Sequence, residues 1–501
     1  MTKVEKNSKT ILLKYIAETI IWLLLAYAFY FAGWTVFFTE TGNGDNVEHI
    51  HSTWLVAQGK IPYRDFFQHH NPLLWYMFAP FIGFGSNALA LLDMAHAVGI
   101  IVGILTFYVV YRISVRFFAA SKFSALLSLL VLCPPYFYIY CFNFNPDTFM
   151  ALFYSVGLYY LFYYWEKSGI FSLCVAFTAF FAAFLFTQKI LMIYAVLGIL
   201  SVIIFYKQKA PLSDIGYALL LPLCGVLLFA AFLYSHDTLG VYWQSNYPFN
   251  IRMQDFYGDR KIDVIDYRCL IPSAILATIS LIYFFKSANK YFKIIAVLFA
   301  IELPLRCFYF AISPYYMLPL MIYIACLNSV LFEKIMQKCY PVIYIFLCGC
   351  VYYAVISVPS YVSARGQDRT FATYISQNVT PCDYILSSYF GNQAIRSKDI
   401  HYYWSMLGHI DIVGAELGIK PIPNLTELVI RYKPKFIYGG PYWNSYYQHR
   451  GQNIFVQAVA PEVLEQYYLP TPFPDFYILR YEYQGRNCHF NTLTKEWEYA
   501  N

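Results

Sequence analysis

The chain has 501 residues, of which 59% are hydrophobic, 21% aromatic and only 13% charged, about half the charged share of an average soluble domain. That composition excludes an ordinary soluble globular protein. A formal net charge of +6, carried as scattered Lys and Arg beside apolar runs rather than as a stripe with interleaved stacking positions, speaks against a nucleic-acid partner.

The expected fold class is a polytopic α-helical membrane protein. At about 20 apolar residues per crossing, the sequence predicts about eleven transmembrane helices, near 11–37, 87–111, 123–141, 148–165, 170–187, 190–206, 214–235, 269–285, 294–312, 315–332 and 341–358. The short run 72–85 reads as a re-entrant or interfacial piece. The first apolar run is too long for a signal-peptide core and has no convincing small-residue cleavage site, so it is expected to be retained as a span. Cytoplasmic loops hold an excess of Lys and Arg, which tests the count. Lys3, Lys6, Lys9, Arg112, Arg116, Lys122, Lys167, Lys207, Lys209, Lys286, Lys290, Lys293, Lys334 and Lys338 all fall on one side. With the N-terminus cytoplasmic, the loops 38–86, 141–147, 187–190, 236–268 and the turn near 313 face outward, as does the tail.

Past residue 359 the pattern changes to short alternating runs. "CDYILSSYF", "KPKFIYGG" and "DFYILRYEY" predict strands, whereas "RTFATYISQNV", "IPNLTELVIRY" and "APEVLEQYYL" predict helices or helical turns. The expected division is therefore a transmembrane domain of 1–359 and an extracytoplasmic α/β domain of 360–501. Cys133, Cys174, Cys224, Cys326, Cys348 and Cys350 lie inside apolar runs, as small buried hydrophobes do, and no CxxC metal spacing occurs. Cys382 and Cys488 lie in the polar tail, where a disulfide is open to them.

Ionisable residues concentrate in the loop 38–86. Asp45, Glu48, His49 and Ser52 fall at i, i+3, i+4 and i+7 and share one helix face. Gly59 stops that helix and Pro62 fixes a turn, after which Arg64 and Asp65 lead to His69, His70 and Asn71. An interfacial ion pair between Arg64 and Asp65 is the plain alternative to a functional role. For the set as a whole, a carboxylate-and-histidine face followed by a His-His pair exceeds what solvation requires.

The order Asp45-x-x-Glu48-His49 followed by "WLVAQGKIPYRDFFQHHNPLLWY" resembles the first outer loop of the GT-C superfamily of membrane glycosyltransferases. The resemblance is closest to the bacterial relatives of dolichyl-phosphate-mannose–protein mannosyltransferases and of the aminoarabinose transferase acting on lipid A. Three shorter features accompany it: Asp147 in "NFNPDTFM", Gln188 and Lys189 in "TQKILM", and Arg306, Tyr315, Tyr316 and Pro319 in "RCFYFAISPYYMLPLM". Two positions depart from the pattern. Asn46 stands where many members have Glu, and Tyr315 replaces a usual His, which leaves divalent-metal use open.

The resemblance implies transfer of a sugar from a polyprenyl-phosphate donor to an envelope acceptor, whether glycan, lipid or protein, with inversion at C1. It also implies a bacterial inner (plasma) membrane, with membrane lipids as further partners. Such chemistry needs a base for the acceptor proton and cations for the departing phosphate. Asp45 is the expected base, with Asp147 as the second catalytic acid residue; the alternative for Asp147 is an ordinary helix N-cap. His70, Lys189 and Arg306 are the expected phosphate-binding cations, although Arg306 also fits a structural pair with Glu302. Glu48, His49, Arg64, Asp65, His69, Tyr315 and Tyr316 are expected in support. Asp45 and Asp147 could hold a divalent cation, Mg or Mn, as oxygen ligands; zinc is disfavoured because no HxxxH or HxxE pair gathers the histidines on one helix face. The loop 236–268 could cover the donor. A transporter or flippase of lipid-linked glycan, or a non-catalytic scaffold, are the competing classes, and the first predicts repeats and deep ionisable residues that the sequence does not display.

Overall fold

The computed structural model describes residues 15–27, 29–30, 44–84, 88–132, 140–257, 271–286, 289–309 and 314–338. In the C-terminal region it describes 368–387, 396–402, 413–414, 417–418, 424–438, 446–449, 452–455, 459–473, 476–485, 487–491, 494 and 496–500. The helices of the bundle, in chain order, are α1 Tyr15–Tyr27, α2 Gly44–Ala57, α3 Leu73–Phe78, α4 Ala88–Phe117, α5 Lys122–Val131, α6 Pro146–Lys167, α7 Ile170–Phe186, α8 Leu191–Gln208, α9 Leu212–Ser235, α10 Leu239–Asn246, α11 Pro248–Tyr257, α12 Ile271–Phe284, α13 Lys290–Tyr309 and α14 Leu318–Lys338. Every span predicted between 87 and 332 overlaps a helix, 123–141 only over its first half. Among the described residues, four stretches are long and apolar enough to cross a membrane: Ala88–Phe117, Gln188–Gln208, Leu212–Ser235 and Tyr315–Lys338. The predicted span 341–358 lies outside the described residues, as do parts of 11–37 and 123–141. The piece at 72–85 is no span: α3 ends in a 3-10 turn over Ala79–Phe84.

Two apolar helices show how the bundle is layered. In its most apolar window α14 is 89% buried by protein, whereas α9 is 6% buried, so α14 is central and α9 turns its side chains outward, as a lipid-facing helix does. The chain before α6 lies tight against α4. A Cβ at Gly99 would sit 2.2 Å from the Phe142 carbonyl oxygen, and one at Gly103 would sit 2.3 Å from the Phe142 ring. These two glycines let the strand of chain carrying Asn143, Asn145 and Asp147 approach the helix.

The C-terminal region carries α15 Asp368–Asn378, α16 Leu425–Tyr432 and α17 Pro461–Tyr467. Its five-stranded sheet runs in the order β2 (Lys398–Asp399), β1 (Tyr384–Ser387), β3 (Phe436–Tyr438), β7 (Phe476–Leu479), β6 (Tyr468–Pro470). The first three strands are parallel and the last two pair antiparallel. Two hairpins add β4 (Tyr446–His449) with β5 (Gln452–Phe455) and β8 (Cys488–Asn491) with β9 (Glu496–Tyr499). Cys382 and Cys488 form a disulfide that ties the last hairpin to the chain just before β1.

The region packs on the loop that holds α2. The Phe67 N–H donates to the Tyr402 carbonyl (2.9 Å), and the Tyr402 hydroxyl donates to the Tyr63 carbonyl (2.8 Å). His51 Nε2 meets both carboxylate oxygens of Asp399 at 3.0–3.1 Å. Phe67 and Phe249 share one apolar cluster with Leu386, Ile400, Val429 and Ile437.

Candidate active site

The residues after α2 fold back beneath it. Tyr63 takes a positive φ of 69°, and the turn is closed by the Ile61 N–H donating to Asp65 Oδ2 (2.7 Å). Arg64 pairs with Asp65 at 2.9 Å on the surface. Both therefore serve the turn itself, and the plain alternative describes them. The chain then passes under α2, where Gln68 Nε2 donates to Ser52 Oγ (2.8 Å) and the Tyr63 hydroxyl donates to the His70 carbonyl (2.5 Å).

That return brings His70 to the acidic face of α2. Glu48, His49 and His70 are all buried, and each offers a ligand atom within 4.8 Å of the others. The His49 and His70 rings stand edge to face, 5.0 Å apart, and Trp75 Nε1 donates to His49 Nδ1 (3.3 Å). Among the described residues, His70 Nδ1 has no hydrogen-bond partner. Two imidazoles and a carboxylate with an orphaned buried nitrogen are a donor set for a transition ion, zinc above magnesium. The expected metal pair, Asp45 and Asp147, lies outside this group. His69 does not join it either. Its Nδ1 pairs with Asn250 Oδ1 (2.8 Å), its Nε2 is 3.9 Å from Glu48, and its carbonyl accepts from Asn250 Nδ2 and Gln188 Nε2. The loop 236–268 covers this turn through α10 and α11; its Arg260 and Lys261 lie outside the described residues.

Asp147 is not the N-cap of its helix. Asn145 is, accepting from the Asp147 N–H at 2.9 Å, with Pro146 at the first helical position. The buried Asp147 carboxylate is thereby left to face Lys189, whose ammonium lies 3.3 Å from Oδ2. Oδ1 of Asp147 has no hydrogen-bond partner among the described residues. Lys189 also stands 3.9 Å over the Tyr316 ring, so the carbon stem and head are held by a carboxylate on one side and a π-face on the other. Asp45, on α2, senses both Lys189 and Asp147. Asp147 and Lys189 are thus in contact, and Asp45 on α2 lies within reach of their charges.

Arg306 does pair with Glu302, at 2.7 Å one turn away, and it also donates to the Tyr316 carbonyl. Glu302 is held in turn by Tyr323 (2.8 Å), whose hydroxyl meets that of Tyr154 (2.6 Å). Arg306 still shares a groove with Lys189 and Tyr316, whose remaining wall includes Met192, Ile193 and Leu305. Tyr315 is a clasp: Asn143 Nδ2 donates to its hydroxyl (3.1 Å), and Asn46 Nδ2 donates to Asn143 Oδ1 (3.1 Å). Asn46 and Tyr315, the two departures from the family pattern, are thus linked through Asn143 and lock α2 to the Asp147 segment.

Burial pushes the Asp45 carboxyl up to about 6, with Lys189 opposing and Asp147 adding to the rise. Burial, reinforced by Asp45, pushes Glu48 up to about 8. Burial also lowers the three histidines, His69 to about 4 and His49 and His70 well below their ordinary value. At neutral pH these imidazoles are uncharged, which suits them to ligate or accept and not to act as fixed cations. His70, expected as a phosphate-binding cation, is grouped with Glu48 and His49.

The site thus lies in a helical bundle, where an acidic loop helix neighbours a carboxylate–lysine pair. A sequence model of the dolichyl-phosphate-mannose-protein mannosyltransferase family matches residues 70–234. Among solved structures, the crystal structure of ArnT from Cupriavidus metallidurans bound to undecaprenyl phosphate is similar, with a TM-score of 0.52 at 12% identity, covering 83% of this chain and 92% of that one. No curated protein matches the chain.

Proposed function

We propose that the chain is a membrane-embedded glycosyltransferase that moves a sugar from a polyprenyl-phosphate donor to an envelope acceptor on the outer face of the membrane, inverting at C1. The observation that carries this reading is the contact of Asp147 with Lys189, with Asp45 within reach of their charges. Asp45 takes the acceptor's proton: a carboxyl near 6 is ionised at neutral pH and basic enough to accept. Lys189 neutralises the departing phosphate, and Asp147 with the Tyr316 ring positions Lys189. Lys189 and Arg306 share a shallow, largely apolar groove. The undecaprenyl phosphate bound to the structurally similar ArnT supports this choice of donor.

Glu48, His49 and His70 would hold a divalent ion. Such an ion supplies positive charge close to the site and fastens α2 to the turn beneath it. The C-terminal region forms an α/β domain from about 360 onward, outside the membrane. Its Cys382–Cys488 disulfide supports that side, because disulfides persist in oxidising compartments.

Mass spectrometry of envelope glycolipids and glycoproteins from cells with and without the protein tests this reading. The expected result is loss of one sugar increment from an envelope component, with accumulation of the matching polyprenyl-phosphate sugar. Identical profiles would refute it.

A further inference from the structure

A second cavity lies outside the carboxylate–lysine cluster, between the α2 loop and the C-terminal sheet. Its volume is about 410 Å³, within the range of roughly 300–1,000 Å³ typical of small-molecule sites. Trp54 and Leu55 of α2 form one wall, and Tyr384, Tyr402, Tyr432 and Trp497 come from the C-terminal region. Neither Asp45, Asp147, Lys189 nor the Glu48–His49–His70 group lines it. The cavity nonetheless shares α2 with that cluster. Trp54 follows Asp45 by nine residues, about 14 Å along a helix axis, and stacks against His51, which holds Asp399 at the cavity edge.

The lining alternates flat aromatic surfaces with charged hydrogen-bonding groups. Asp399 and Glu496 offer acceptors, and Lys60 and Lys398 offer donors, while Asp65 at the edge is engaged by Arg64 and the Ile61 N–H. Lys60 and Glu496 pair across the mouth at 3.3 Å, both about half-exposed, while Lys398 lies 5.7 Å from the centre of the Tyr384 ring. With Asp65 paired to Arg64, two carboxylates stand against two ammonium groups, and the absence of net positive charge disfavours a phosphate or other anion. The charged fraction of the wall disfavours a lipid chain, whose burial needs continuous apolar surface. A sugar ring meets both demands. Its C–H faces lie on aromatic rings, and its hydroxyls, each donor and acceptor, bridge carboxylate and ammonium.

We propose that this cavity binds a saccharide, and that it is the subsite holding the glycan portion of the acceptor while the acceptor's reacting hydroxyl or amine reaches Asp45. The acceptor role rests on the glycosyltransferase reading given above; saccharide binding does not.

The test is calorimetric titration of the full chain in lipid nanodiscs with maltotetraose, cellotetraose and chitotetraose, and with a serine-rich hexapeptide as the competing ligand class. At least one tetrasaccharide is expected to bind saturably. Trp497→Ala and Tyr432→Ala should each weaken that binding about tenfold, while Trp497→Phe, which keeps a ring, restores most of it. Asp45→Asn should leave it unchanged. Turnover of a polyprenyl-phosphate sugar, measured on the same samples, separates the two readings: saccharide binding by a protein that turns over no donor removes the acceptor role and leaves the site. Binding of none of the three tetrasaccharides, binding indifferent to Trp497→Ala, or binding of the peptide instead would overturn the proposal.

Discussion

Replacing Asp45 by asparagine separates the chemistry of the carboxylate from its energetic cost. Burial holds this carboxyl at about 6 against an ordinary 3.8, so its ionised form is disfavoured in the folded chain by about 3 kcal/mol. Because the folded value lies above the unfolded one, stability linked to this group is complete below about pH 3.8 and is lost as pH rises through 6. Asparagine keeps the shape and removes the loss, the opposing attraction of Lys189 being already contained in the net rise. The expected variant is folded and more stable than the parent at pH 7.5 by part of that 3 kcal/mol, with sugar transfer down about 10²- to 10⁴-fold. Thermal unfolding at pH 5 and 7.5, run beside a turnover assay, measures both. The stability gap should be wider at pH 7.5. A gap that does not change with pH would refute the burial reasoning, and parental turnover would remove Asp45 as the base.

Lys189→Met should weaken binding of polyprenyl phosphate about tenfold or more while Lys189→Arg keeps part of it, since a charge is lost in one and retained in the other; native mass spectrometry reads this directly, and equal binding by all three proteins would deny Lys189 its role. Elemental analysis should find about one transition-metal ion per chain, lost in His70→Ala together with some affinity for the α2 loop conformation, whereas a parent protein that takes up no zinc would leave the Glu48–His49–His70 group without an ion. The Cys382–Cys488 bridge spans 106 residues, for which the chain-entropy account gives about 4–5 kcal/mol. The double serine variant should therefore show faster hydrogen exchange over 368–500 with the bundle unchanged, and unchanged exchange in both would contradict that account.

The parts of this molecule that sequence reveals are those with local periodicity or local spacing. The spans from 87 to 332 were legible because apolar runs bounded by Lys and Arg report helices directly, and the strands at 384, 436 and 476 were legible from alternation. The acidic face of α2 was likewise local, since Asp45, Glu48 and His49 share it by helical spacing alone. What was not legible depended on chain reversal. Spacing argues against a histidine–carboxylate ligand group, yet His70 reaches Glu48 and His49 because the turn bridged by Pro62 and Phe66 sends the chain back under α2. Whether Asp147 or Asn145 caps α6 is undecidable from "NFNPDT", and only the geometry assigns the cap to Asn145. Asn143 and Gln68 are neutral amides without a sequence signal, whereas Asn46 stands out as a departure from the pattern that the first outer loop resembles. The ion pair of Arg64 and Asp65 was legible as the plain alternative, while the part of Asp65 in closing the turn was not.

The most direct measurement is release of polyprenyl phosphate from a polyprenyl-phosphate-linked sugar by the purified full chain in nanodiscs, compared with its Asp45→Asn and Asp147→Asn variants. Release by the parent that both variants lose is the predicted result. Release at the parental rate by both variants would contradict the claim that the Asp45 and Asp147 carboxylates, near Lys189, perform the transfer.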